Sequence, residues 1–445
     1  MRPGAHHPLF GRAAVTPALL AVAVLLAGCV GGLQPPAMLG IGIGQAPSDP
    51  AASHRLAPAG STASALIAEL SARPSVLPAG GPYARVADAV VSASSGVEAA
   101  ELGLARLRAE AASRNGWPSV APVLTLDSLA GLAAQLVIDQ PVLDHGRRKA
   151  ERARAAAEVD LAAVSLASRQ NQRVFEGLSH YLTAEQARVQ AAIVERAAAR
   201  LTGYQDIVDA RVQGGLSDQS EAQIIAQTRA EMQATLAADR QVAAQAMADL
   251  AALARHTPPA DLRGLDPISN AAVTPLSVLT AQATGARTLA EAQIARANAL
   301  PGLSATGTIQ QDGTVTPGLR LGGVQLGLGT PSALAAADAA PDLVARQKAE
   351  ADQTATRRDT ALQGEIAALQ SRQSEGATVL ARTLSNLDLY AEQYSLGRRS
   401  LTDLVGQYAA AARLERDQAA LAYAIARLQL ERARDMGTLI AGSQL

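Results

Sequence analysis

Over residues 145–212 apolar side chains recur at steps of three, four or seven: Phe175, Leu178, Leu182, Val189, Ile193, Ala197, Leu201, Tyr204, Val208 and Val212. That is a coiled-coil-type seam, and it predicts one helix of roughly 68 residues, on the order of 100 Å long. Gln213-Gly214-Gly215 interrupts it, Ser217 is placed to cap a new helix, and that second helix is expected over 218–253. Ahead of the long helix a helical pattern fits 85–114 and stops at Trp117-Pro118. Between the two, the period falls to two. Val120, Pro122, Leu124 and Leu126 alternate, then Leu136 and Ile138, so two strands of membrane-spanning length joined near Leu129-Ala130-Gly131 are expected.

The same plan returns further on. Helix is expected over 278–297, strands over 303–311 and about 319–329 turned at Asp312-Gly313, a long helix over 342–395 and a last helix over 401–439. A slip of phase at Gly322-Gly323 suggests a bulge. Gly215 through Ala222 and Gly397 through Leu404 each place a hydroxyl five residues and a carboxylate six residues after the glycine, at an offset of 397 − 215 = 182. Pro118 and Pro301 stand 301 − 118 = 183 apart. Two unrelated marks at nearly the same offset predict a tandem duplication: 83–255 and 270–441, joined by a Pro-bearing linker over 256–269. The expected fold class is mainly α with a small β part, built twice as helix, strand, strand, long helix, helix.

Composition sharpens this picture. Apolar residues make up 48% of the chain but aromatics only 2%, and alanine dominates. Such sequence favours closely approaching helices over a thick globular core, because large rings bury the most area each. A formal net charge of −1 gives no reason to expect nucleic acid as a partner. The single cysteine, Cys29, excludes a disulfide within one chain. It follows Leu26-Ala27-Gly28 and an apolar run behind Arg2 and Arg12, the pattern of a lipoprotein signal peptide over 1–28 with lipidation at Cys29. Residues 29–82, rich in Gly, Pro, Ala and Ser, read as a flexible tether with little regular structure. No later run is long and apolar enough for a membrane helix, so any span is by strands.

The six histidines are scattered, and no phosphate loop, nucleophile elbow or metal-binding helix motif occurs. No enzyme activity, cofactor or metal is expected. Four strands cannot close a barrel, which needs about eight, and open sheet edges are not tolerated in lipid. Strands that enter a membrane must therefore be pooled between chains, and three chains supply twelve.

This order of elements, with its two Gly-x4-[Ser/Thr]-[Asp/Glu] breaks, resembles the TolC family of outer-membrane efflux proteins, and the Cys29 motif resembles its lipoprotein branch. The resemblance covers roughly residues 83–441. It implies a homotrimeric α-helical tunnel with a shared twelve-stranded β-barrel, lipid-anchored in the outer membrane with a long periplasmic portion. It further implies a periplasmic adaptor protein and an inner-membrane pump or ABC transporter as partners, in efflux or type I secretion. By position it implies a periplasmic gate latch of Ser220, Glu221, Tyr394 and Arg399, and a pore constriction at Asp403. The helix tips Gly215, Leu216, Ser217, Gly397 and Arg398 are implied to dock the adaptor. The alternative is a lipid-anchored periplasmic helical scaffold without a pore. In the second repeat the return from strand to helix differs: Gly329-Thr330-Pro331-Ser332-Ala333 replaces Gln140-Pro141-Val142-Leu143-Asp144.

Overall fold

The structure, a computed structural model, describes residues 64–445 except 129, 130, 217, 258, 260, 270, 311, 323–326 and 328. The signal sequence, Cys29, most of the expected tether, the Leu129-Ala130 turn, Ser217 and Gly323 lie outside the described residues. In chain order the elements are α1 (Ala65–Ser71), α2 (Pro82–Ser92), α3 (Val97–Ser113), β1 (Ser119–Ser128), β2 (Gly131–Leu143), α4 (Arg147–Gln213) and α5 (Gln219–Ala254). The second half holds α6 (Leu276–Asn298), β3 (Leu303–Gln310), β4 (Val315–Leu321), α7 (Thr330–Ser395) and α8 (Leu401–Asp435), ending in a single 3₁₀ turn, Gly442–Gln444. The duplicated plan is present, with α3 to α5 answered by α6 to α8. Two compact units result: residues 113–149 with 293–337, and the remaining described residues.

The first unit contains one antiparallel sheet in the order β1-β2-β3-β4. Val120 pairs with Ile138, Leu136 with Ile309, and Thr308 with Thr316. Pro122 and Pro317 stand on the two edge strands and Pro141 beside a shift of register, the places where a strand tolerates a residue with no N–H. At the β3–β4 turn Gly313 adopts φ 84°, and the Thr314 N–H donates to Asp312 Oδ1 at 2.9 Å. The edges are apolar and exposed: Leu124 on β1 and Leu319 on β4 are 68% and 74% accessible.

The second unit is helical with two buried clusters. One gathers α1, α2, Leu178 and Leu182 of α4, Leu279 of α6 and Leu430 of α8. Tyr83 and Tyr181 meet edge to face within it, 6.0 Å between centroids. The other cluster gathers Leu201 and Val208 of α4, Ile225 of α5, Leu387 of α7, and Leu401, Leu404 and Val405 of α8. The repeats are also tied by a fork of hydrogen bonds from Arg416 on α8 to both oxygens of Asp239 on α5, each 2.8 Å.

Several expectations need correction. Residues 64–82 of the expected tether are folded: Ser64 caps α1, accepting from the Ile67 N–H and donating to Asp160, while Ile67, Leu70 and Val76 are buried. Arg73, also buried, donates to the carbonyls of Met436 and Thr274 at 2.6 and 2.7 Å, so this segment closes onto both ends of the second repeat. The helix expected over 85–114 is two helices, broken where Gly96 takes φ 70°. Among the described residues strand β4 is Val315–Leu321, beginning before the expected 319 because the tight Asp312-Gly313 turn brings Val315 directly opposite Ile309. The second long helix begins at Thr330 and not near 342, running through an exposed Pro341. Asp218, not Ser217, caps α5, accepting from the Ser220 N–H at 3.2 Å.

Candidate helix-tip site

Both long helices end in the same way. Gly215 and Gly397 adopt φ 69° and 70°, the left-handed region where a side chain is strained. The Leu216 N–H reaches back to the Arg211 carbonyl at 2.8 Å and the Gly215 N–H to Val212 at 3.0 Å. At the second tip Arg398 reaches Gln393 and Gly397 reaches Tyr394, both at 2.9 Å. This is the Schellman arrangement, which satisfies the last carbonyls of a helix and turns the chain. The next helix is capped at the same offset. Asp218 caps α5 with Glu221 in its first turn, and Ser400 Oγ accepts from the Asp403 N–H at 3.1 Å with Asp403 in the first turn of α8. A carboxylate there complements the positive end of the helix.

The structure brings the described residues among those expected to these two turns. Leu216 is 79% accessible, and Arg398, Arg399, Ser220 and Asp403 are exposed. Among the described residues neither Arg399 nor the Tyr394 hydroxyl bonds to Ser220 or Glu221 within one chain. Arg399 donates through Nε to Gln393 Oε1 at 3.1 Å and lies over the Tyr390 ring, 4.7 Å from its centroid. The Tyr394 hydroxyl is buried and has no hydrogen-bond partner among the described residues.

Sequence reasoning placed Tyr204 only as a seam residue and missed Tyr390 and Tyr408; all three pack with Tyr394 in or against the buried cluster at the tips. Tyr204 meets Tyr394 edge to face at 5.8 Å and Tyr408 at 5.6 Å, with its hydroxyl 3.5 Å from that of Tyr408. Burial, and then the contact with Tyr408, pushes the Tyr204 hydroxyl up to about 12, so it stays neutral at physiological pH. One signal was available: four of only seven tyrosines lie in this cluster.

The geometry has counterparts among solved structures. CusC, whose structures concern folding and transmembrane channel formation, superposes with a TM-score of 0.71 at 13% identity, over 80% of this chain and 91% of its own. The fold is that of the outer-membrane channels. VceC, an outer membrane protein of Vibrio cholerae, shares this channel fold at a TM-score of 0.68 and 14% identity, over 80% of this chain and 96% of its own. The open-state MtrE outer membrane channel of Neisseria gonorrhoeae matches at 0.67 and 14%, over 83% and 94%. No protein-family model and no curated protein matches the chain. The channel fold agrees with the sequence resemblance in its duplicated helices and its four-stranded sheet.

Proposed function

We propose that the chain is the outer-membrane channel component of a tripartite efflux pump or type I secretion system, a passive exit duct assembled from three copies. The observation that carries this reading is the sheet, which has four strands, two open edges and exposed apolar side chains along both. Such edges are stable in lipid only when paired, and three copies joined β4 to β1 make a closed twelve-stranded barrel. The helices support the same reading. In α7 only Ala340, Leu362 and Leu387 are buried, while Leu343, Val379, Leu389 and Leu396 are exposed, leaving much of its surface for a neighbouring copy.

In this reading Cys29 carries the lipid anchor, and the tips Gly215, Leu216, Ser217, Gly397 and Arg398 dock a periplasmic adaptor coupled to an inner-membrane pump or ABC transporter. Arg399 of one copy reaches Ser220 or Glu221 of the next, beside Tyr394, and the three pairs form the gate latch. Arginine suits this because its fork matches a carboxylate. Three exposed Asp403 side chains ring the constriction and favour cations. Mass measurement of the full chain in detergent tests the assembly: a trimer is expected, and a folded monomer at every concentration overturns it.

A further inference from the structure

We propose that three tyrosine rings, Tyr204, Tyr394 and Tyr408, brace the two helical hairpins near their turns, and that Tyr394 acts there through its ring and not its hydroxyl. The rings come from α4, α7 and α8, so one aromatic cluster ties three of the four helices. Edge-to-face and tilted contacts at 5.8 and 5.6 Å lie in the range where ring quadrupoles attract beyond simple burial.

Within a single chain the hydroxyl of Tyr394 adds nothing to this packing. It is out of water and has no hydrogen-bond partner among the described residues, so it opposes the packing that its ring favours. Removing it while keeping the ring leaves the brace intact. Arg399 is turned away toward Gln393 and Tyr390 and takes no part.

The brace is not inherited from the duplication. At the 182-residue offset Tyr204 is answered by Asn386, Tyr394 by Val212 and Tyr408 by Ala226. An aromatic-poor chain has placed rings at three positions of a repeated frame whose counterparts carry none. Their asymmetry makes one face of the tip adhesive within a protomer. That loosening the brace widens a duct rests on the channel reading; the brace itself concerns one chain.

Hydrogen exchange on the full chain in detergent tests it, reading the amides of 201–212 and 387–408 with those of 171–182 as an internal reference. Tyr204→Leu is expected to speed tip exchange about three- to tenfold, the worth of one or two ring pairs, without moving the reference. Tyr394→Phe and Tyr204→Phe are expected to exchange no faster than the parent. Acceleration by Tyr394→Phe equal to that by Tyr204→Leu would place the hold in the hydroxyl and overturn the proposal, as would an unchanged tip in Tyr204→Leu. Because Tyr204→Phe keeps the ring, it reads the hydroxyl's part even where the leucine variant does not fold. Bilayer recordings of the same variants separate the two claims. If the parent does not conduct, the channel reading fails while the exchange data still decide the brace.

Discussion

Helices α4 and α7 occupy the same place in the two repeats and have nearly the same length, 67 and 66 residues, yet their burial is opposite. Twenty-two residues of α4 are buried, against three of α7. Duplication supplied two copies of one helix, and the fold assigned them different work. The first is the most buried helix of the helical unit, sharing its clusters with α2, α5, α6 and α8. The second keeps a single seam against its own chain, so its stability depends on what the remaining faces meet. A sequence repeat therefore does not imply an energetic repeat.

The sharpest way to break this comparison is to truncate both helices. Leu178→Ala and Leu182→Ala in α4, both fully buried, should each lower stability by about 2–5 kcal/mol. Val379→Ser in α7, where valine is 53% accessible, should change the stability of a dissociated chain by less than about 0.5 kcal/mol. Its effect should appear in association, as a larger monomer fraction in detergent. Equal losses in the two helices, measured by chemical denaturation of the dissociated protein, would refute the division of roles.

A second substitution sharpens how the repeats are joined. Asp239→Ala strands the Arg416 guanidinium in a largely buried site and should cost about 3 kcal/mol in the same assay. Asp239→Ala with Arg416→Met should recover most of that loss, because an apolar pair of similar volume leaves no uncompensated charge.

The smallest effects lie at the far ends of α5 and α8, again one offset apart at 437 − 255 = 182. Gly437 takes φ 66°, whereas Arg255 is forced to φ 55° in the same role. Arg255→Gly should stabilise by at most about 1 kcal/mol. Gly437→Ala should destabilise by about 1–2 kcal/mol, since a Cβ there also crowds Leu276. Melting temperatures of the two variants should move in opposite directions.

Most of this fold was legible in the sequence, because its helices are long and periodic and its punctuation occurs twice. The seam from Phe175 to Val212 placed α4 within a few residues, and Gly215 and Gly397 placed both tips. Features that depend on partners distant in sequence could not be read. The stretch after Ser64 looks like tether from its Pro and Gly neighbours, and becomes a helix because Asp160, Met436 and Thr274 receive it. The second long helix was expected only from 342, yet it also includes the preceding residues, running through Pro341 at an exposed position. At the tip, position alone pointed to Tyr394 and Arg399, and their resemblance-based roles predicted polar partners. Tyr204 was visible only as one residue of the α4 seam; that its ring meets both Tyr394 and Tyr408 depends on packing between distant segments, which only the packed helices reveal.

Single-channel recording in planar bilayers tests the central claim, comparing the parent chain with Arg399→Ala. A small, cation-preferring conductance in the parent, rising several-fold in the variant, is the result expected of a three-copy duct whose tips are held by Arg399. Well-folded trimers that insert but never conduct would contradict it.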